Sequence, residues 1–168
     1  YHYDESKLEL YLAVHRDMQR RVYGRFVEAV EASDTFLGQL DGVLAAAHDM
    51  NVEDPTLALF VGTVRTDMRR FPEVAERLDR SVAARDQFFV SMVDTGVSSG
   101  EIRPSDRDLV VEFIRILLIG LTEGGSESPD RHRLAIDSVR SLLRGDLIVA
   151  TSEPSGEHRD AEGSEQGR

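Results

Sequence analysis

The stretch that most constrains the fold is Gly100–Leu121, GEIRPSDRDLVVEFIRILLIGL. Gly100 and Pro104 punctuate the chain, one past a helix C-terminus and the other near a new N-terminus, and Ser105 offers a cap. From Leu109 to Leu121 the only charges are Glu112 and Arg115. Their i,i+3 spacing puts both on one narrow strip. A helix apolar on nearly every other side must be covered on nearly every side. At thirteen residues the segment is too short for a bilayer, which needs roughly 20. Protein therefore covers it: the chain's own core on one side and a partner on the other.

The rest of the chain supplies helices to surround it. Ser6-Lys7-Leu8-Glu9 has the form of a capping box. A long helix follows to about Ala32, with Leu10, Val14, Met18, Val22, Phe26 and Val30 as its expected inner stripe. Ser33-Asp34 introduces a second helix to about Asp49, and Asn51–Pro55 reads as a loop. A third helix runs to about Arg70, and a fourth from about Glu73 to Thr95, closed by Gly96 and Gly100. Thr122–Ser128 reads as a second loop, and a last helix spans about Pro129–Arg144 before Gly145. No alternating strand pattern competes. The expectation is an all-α, antiparallel array of about six helices.

Residues 6–149 form this domain. From residue 150 to 168 the composition turns to Ser, Gly, Glu and Pro, and a disordered acidic tail is expected. The 168 residues carry no cysteine and a net charge of −11. That balance repels nucleic acid from the domain as a whole, so any DNA contact must be local. No membrane span or signal-peptide pattern occurs, and a cytoplasmic setting is expected.

Catalytic and metal patterns are missing. None of His2, His15, His48, His132 and His158 follows an acidic residue at the three-residue spacing of helical di-iron sites. No HExxH, phosphate loop, EF-hand loop or nucleophile elbow is present. The sequence predicts no enzyme, no metal and no cofactor.

Two segments carry a family resemblance. Tyr1-His2-Tyr3, followed by Ser6-Lys7-Leu8 and Leu10, resembles the end of the recognition helix and the start of the next helix in TetR-family transcriptional regulators. Gly100-Glu101-Ile102-Arg103-Pro104, leading into a helix with Gly120-Leu121, is similar to a segment of that family's ligand-binding domain. The last helix, ending Ser141-Leu142-Leu143-Arg144-Gly145, looks like the family's C-terminal helix. The resemblance implies a TetR-like C-terminal regulatory domain, with residues 1–5 the remnant of a helix-turn-helix that is otherwise missing, as in a fragment of a longer protein. It implies a homodimeric repressor, released from operator DNA when a small-molecule effector binds. Carried over, Tyr1, His2 and Lys7 would be DNA-backbone contacts.

A sensor needs an apolar cavity with a few polar groups. Helical spacing offers Phe60, Thr63, Val64 and Asp67 on the third helix, and Arg85, Phe88, Phe89 and Met92 on the fourth. Phe113 and Leu117 would face this pocket from the central helix. Ile114, Leu118 and Leu121 would then face a second copy, flanked by Ile136, Val139 and Leu143. Arg85 in the wall would favour an acidic ligand. A competing expectation is a helical interaction and dimerisation module without a ligand, its aromatics serving only as core. A cavity bounded by Phe60, Phe89 and Phe113 would favour the sensor, and a solid core the module.

Overall fold

The computed structural model describes residues 5–147, with the side chains of 124–127 excepted. It contains six α-helices and one short 3-10 turn, and no strand among the described residues. The expected acidic tail, Tyr1 and His2 lie outside the described residues.

Helix α1 spans Glu5–Glu31. Its buried residues are Leu8, Leu12, His15, Met18 and Phe26, while Leu10 and Val14 are exposed. The expected stripe therefore holds only in the second half of the helix. Each residue advances about 100°, so repeated steps of four drift by about 40° each. Leu10 ends up roughly 160° round the helix from Phe26. The true inner line uses mixed three- and four-residue steps.

Helix α2, Phe36–Glu53, is the most enclosed, burying Phe36, Gln39, Leu40, Val43, Leu44, Met50 and Asn51. Thr35 rather than Ser33 or Asp34 caps it, its Oγ1 accepting from the Gly38 amide at 3.2 Å. The helix continues four residues past Asp49, into the expected loop. Arg25 grips Glu53 through two hydrogen bonds of 3.0 and 2.6 Å and so holds this last turn against α1. Gly42 lets the same two helices close up: a Cβ there would lie 3.1 Å from the Ala29 carbonyl oxygen.

Helix α3 covers Thr56–Arg70 and α4 covers Pro72–Ser99. Phe71 alone separates them, with an extended backbone (φ −128°). The following Pro72 imposes this, because its ring disfavours helical geometry in the residue before it. Helix α4 passes through Gly96 and ends at Gly100, which takes the left-handed conformation at φ 81°. Gly96 is not a terminator but a contact point. A Cβ on it would sit 2.6 Å from Ile102 Cδ1 and 2.8 Å from Phe36 Cβ.

A 3-10 turn over Pro104–Asp106 leads into α5, Arg107–Glu127. The expected loop at Thr122–Ser128 is helix up to Glu127. The break comes at Ser128, again the residue before a proline, whose Oγ accepts from the Arg131 amide at 3.1 Å and caps α6, Pro129–Leu143.

Two apolar clusters hold the array. The larger joins Phe26, Leu40, Val43, Leu44, Met92, Val93, Ile114, Leu121 and Ile136, drawing on α1, α2, α4, α5 and α6. The smaller joins Leu8, Leu12, Val64, Val74 and Leu78 from α1, α3 and α4.

Candidate functional site: a cavity lined by all six helices

The two clusters do not fuse. A cavity of about 220 Å³ is lined from both, by Phe26, Met50 and Leu121 of the larger and Val64 of the smaller. A single water needs only about 10–15 Å³ on this scale, so the space is many times larger than a one-water void. Helix α1 contributes His15, Met18, Gln19, Val22, Tyr23 and Phe26. Helix α3 adds Leu57, Ala58, Val61, Val64, Arg65 and Met68, and α4 adds Val82, Arg85, Asp86 and Phe89. Val111, Arg115, Leu118, Ile119, Leu121 and Thr122 come from α5, and α2 and α6 complete it with Ala47, Met50, Asn51 and His132.

Of the ten residues expected to bind ligand, Val64, Arg85 and Phe89 line this space. Phe60 packs into the smaller cluster, its ring 5.8 Å from that of Tyr11. Thr63 is exposed and donates to the Leu59 carbonyl at 2.9 Å. Asp67 is half-buried and does not meet Arg85, which pairs with its neighbour Asp86 instead. Phe88 stands behind the wall, packed on Phe26, Tyr23 and Phe89 with ring centroids 6.3, 5.7 and 5.1 Å away. Met92 is core, 2% exposed, and Leu117 packs half-buried against that core. Phe113 points outward and is 38% exposed.

The two sides of the central helix are thus turned relative to expectation. Ile114 and Ile136 are each 1% exposed and Leu121 6%, so they lie inside the chain and have no surface to offer a second copy. Leu118 lines the cavity. Val139 is half-buried, and Leu143 is 38% exposed. What faces outward on α5 is Leu109, Phe113 and Ile116 at i, i+4 and i+7. Leu134 and Leu142 are exposed on α6. Lys7 is exposed in the first turn of α1.

Of the polar groups in the wall, sequence spacing picked out Arg85 but not Asp86, Arg115, Arg65 or His15. Arg85 donates twice to Asp86 Oδ1, from Nε at 3.0 Å and from an η nitrogen at 2.8 Å. Arg115 stands 3.9 Å from the other Asp86 oxygen and 3.6 Å from Glu112, too far in both cases for a hydrogen bond. Arg65 reaches Glu123 at 3.2 Å. Burial pushes the Tyr23 phenol far above its ordinary range, with Arg85 opposing and Asp86 adding to the effect.

His15 and His132 are 3% and 4% exposed, and the Nδ1 of each is buried without a hydrogen-bond partner. Leaving such a nitrogen unpaired costs about 1–3 kcal/mol. Burial holds both imidazoles below their ordinary pKa, and the neighbouring His48, its ring 5.7 Å away, lowers His132 further. At neutral pH these two groups are uncharged donors or acceptors, and the fixed charges of the wall belong to the arginines and Asp86.

Among the described residues no group of three or more His, Asp or Glu side chains could hold a metal ion, and no helix is long and apolar enough to cross a membrane. Comparison with known proteins found no matching family model, curated protein or solved structure.

Proposed function

We propose that the chain is the effector-binding and dimerisation part of a ligand-responsive transcriptional regulator, acting as a repressor that leaves its operator when a small molecule occupies the cavity. The observation that carries this is the cavity itself, bounded by Phe89 though not by Phe60 or Phe113, apolar in most of its lining and furnished with a few polar groups such as Arg85, Asp86 and Arg115. A helical module with only a packing role has no use for it. Its position supports the same reading. Helix α1 supplies six lining residues, and its first turn, with Lys7, continues the segment that resembles the TetR recognition-helix end. A ligand that favours one setting of α1 would bias whatever precedes it, by no more than its difference in affinity for the two settings.

Native mass spectrometry of the gently purified chain tests the ligand. A bound small molecule is expected on the wild type and not on Ala58→Phe, which extends a ring into the cavity. Circular dichroism confirms that the variant is folded. A wild type that carries nothing and takes up nothing from a panel of small apolar molecules rules the proposal out. Coupling is tested separately, and the absence of cysteine makes it clean. A spin label on Lys7→Cys reports the distance between the two α1 helices of a dimer. A ligand that leaves this distance unchanged removes α1 as the lever.

A further inference from the structure

We infer that the cavity takes a carboxylic acid with an apolar body, its carboxylate held at the half-exposed rim by Arg85 and Arg115 in competition with Asp86. The inference rests on the effector reading above and names the class of ligand.

Charge is the first support. The chain as a whole is acidic, at −11, yet the charged side chains lining this cavity are three arginines and one aspartate. A basic ligand would face a repulsive rim. A neutral one would draw no charge-assisted contact from Arg115, whose approaches to Asp86 and Glu112 are 3.9 and 3.6 Å.

Geometry is the second. Asp86 is already a carboxylate seated between the two guanidiniums, hydrogen-bonded to Arg85 and 3.9 Å from Arg115. It occupies the place that a ligand carboxylate would share. Arg115 is the under-used member: its approaches to Asp86 and Glu112 both exceed hydrogen-bond length. Arginine's planar fork suits a carboxylate in two-pronged contact, so an incoming acid can take the donors that Asp86 leaves idle.

Calorimetry with octanoate and octan-1-ol on the full chain tests the assignment. The acid is expected to bind at least ten-fold more tightly than the alcohol. Arg115→Gln is expected to erase most of that preference. Asp86→Asn is expected to widen the preference for acid over alcohol about three-fold or more, a gain that a merely structural Asp86 would not give. Equal binding of acid and alcohol overturns the carboxylate assignment and leaves the effector cavity standing. An unchanged or narrower preference in Asp86→Asn overturns the competition. Binding of neither compound overturns this inference, whereas the effector reading falls only if the wider panel also fails.

Discussion

Glu101 caps a helix that begins 65 residues before it. Its two carboxylate oxygens accept the Phe36 amide at 2.7 Å and the Leu37 amide at 3.1 Å, at the N-terminus of α2. The Ser99 hydroxyl, at 2.7 Å, steadies it. The helix dipole favours a negative charge at this place, and the amides are donors that the helix itself cannot satisfy. Glu101→Ala should cost about 1 kcal/mol, the scale of a lost N-cap. The pH dependence has a definite sign. Burial works against the charge, but the bonds from Ser99 and the Leu37 and Phe36 amides outweigh it, so the folded pKa lies below the ordinary 4.5. The stabilisation is complete above that ordinary value and is lost as pH falls through the lower, folded one. Urea melts of wild type and Glu101→Ala should converge under acid. A constant gap down to the acid limit would show that the carboxylate's charge is irrelevant.

Two helical glycines, Gly96 and Gly24, should respond in opposite directions to alanine. At Gly96 a methyl group meets Ile102 at 2.6 Å and Phe36 at 2.8 Å, so Gly96→Ala should destabilise by about 1–3 kcal/mol despite alanine's better helix propensity. At Gly24, inside α1, nothing lies within 4 Å. Gly24→Ala should stabilise by up to about 1 kcal/mol. Denaturant midpoints decide it. A gain at Gly96, or a loss at Gly24, would contradict the packing described.

These residues show what was legible in the sequence. Helix number and order followed from apolar spacing and from Gly and Pro punctuation, which act locally. Phe71 before Pro72 and Ser128 before Pro129 are boundaries that a single dihedral restriction sets. The physical content of Gly-Glu-Ile-Arg-Pro was not legible: Glu101 reaches α2 and Ile102 fills the notch left by Gly96, both through long-range contacts. The site was harder still. Spacing says which residues share a helix face, not which face meets a void. Leu118 and Phe113 were therefore placed on each other's sides of α5. Arg115 and Glu112 share the solvent-exposed strip that their spacing implied, but only tertiary packing brings Asp86 near Arg115. His15 fitted no metal pattern, and its burial depends on where α1's inner line runs.

The buried histidines should make the fold sensitive to mild acid. A depressed pKa means that the unfolded chain binds protons more readily than the folded one. Stability is then full above the ordinary value of 6.5 and declines as pH falls towards the lower folded values of His15 and His132. Melting temperature should drop between pH 7.5 and 5.5, and the drop should flatten in the double variant His15→Gln, His132→Gln. Identical slopes for the two proteins would assign acid sensitivity to other groups.

Self-association should depend on the outward line of α5. Leu109, Phe113 and Ile116 are 72%, 38% and 62% exposed and share one helix face. Leu134 on α6, the helix packed beside it, is 68% exposed. A line of exposed apolar side chains along one helix face is the kind of surface that interaction sites use. The proposed homodimer gives it an occupant, and the residues that would meet there differ from those the spacing suggested. Leu118 is the wrong probe, because a charge there would enter the cavity. Ile116→Glu is the right one: it is largely exposed, so the monomer's own stability should change by no more than about 0.5 kcal/mol. Sedimentation velocity should show a dimer for the wild type and a monomer for Ile116→Glu. Retention of the dimer by Ile116→Glu would move the interface off this face of α5.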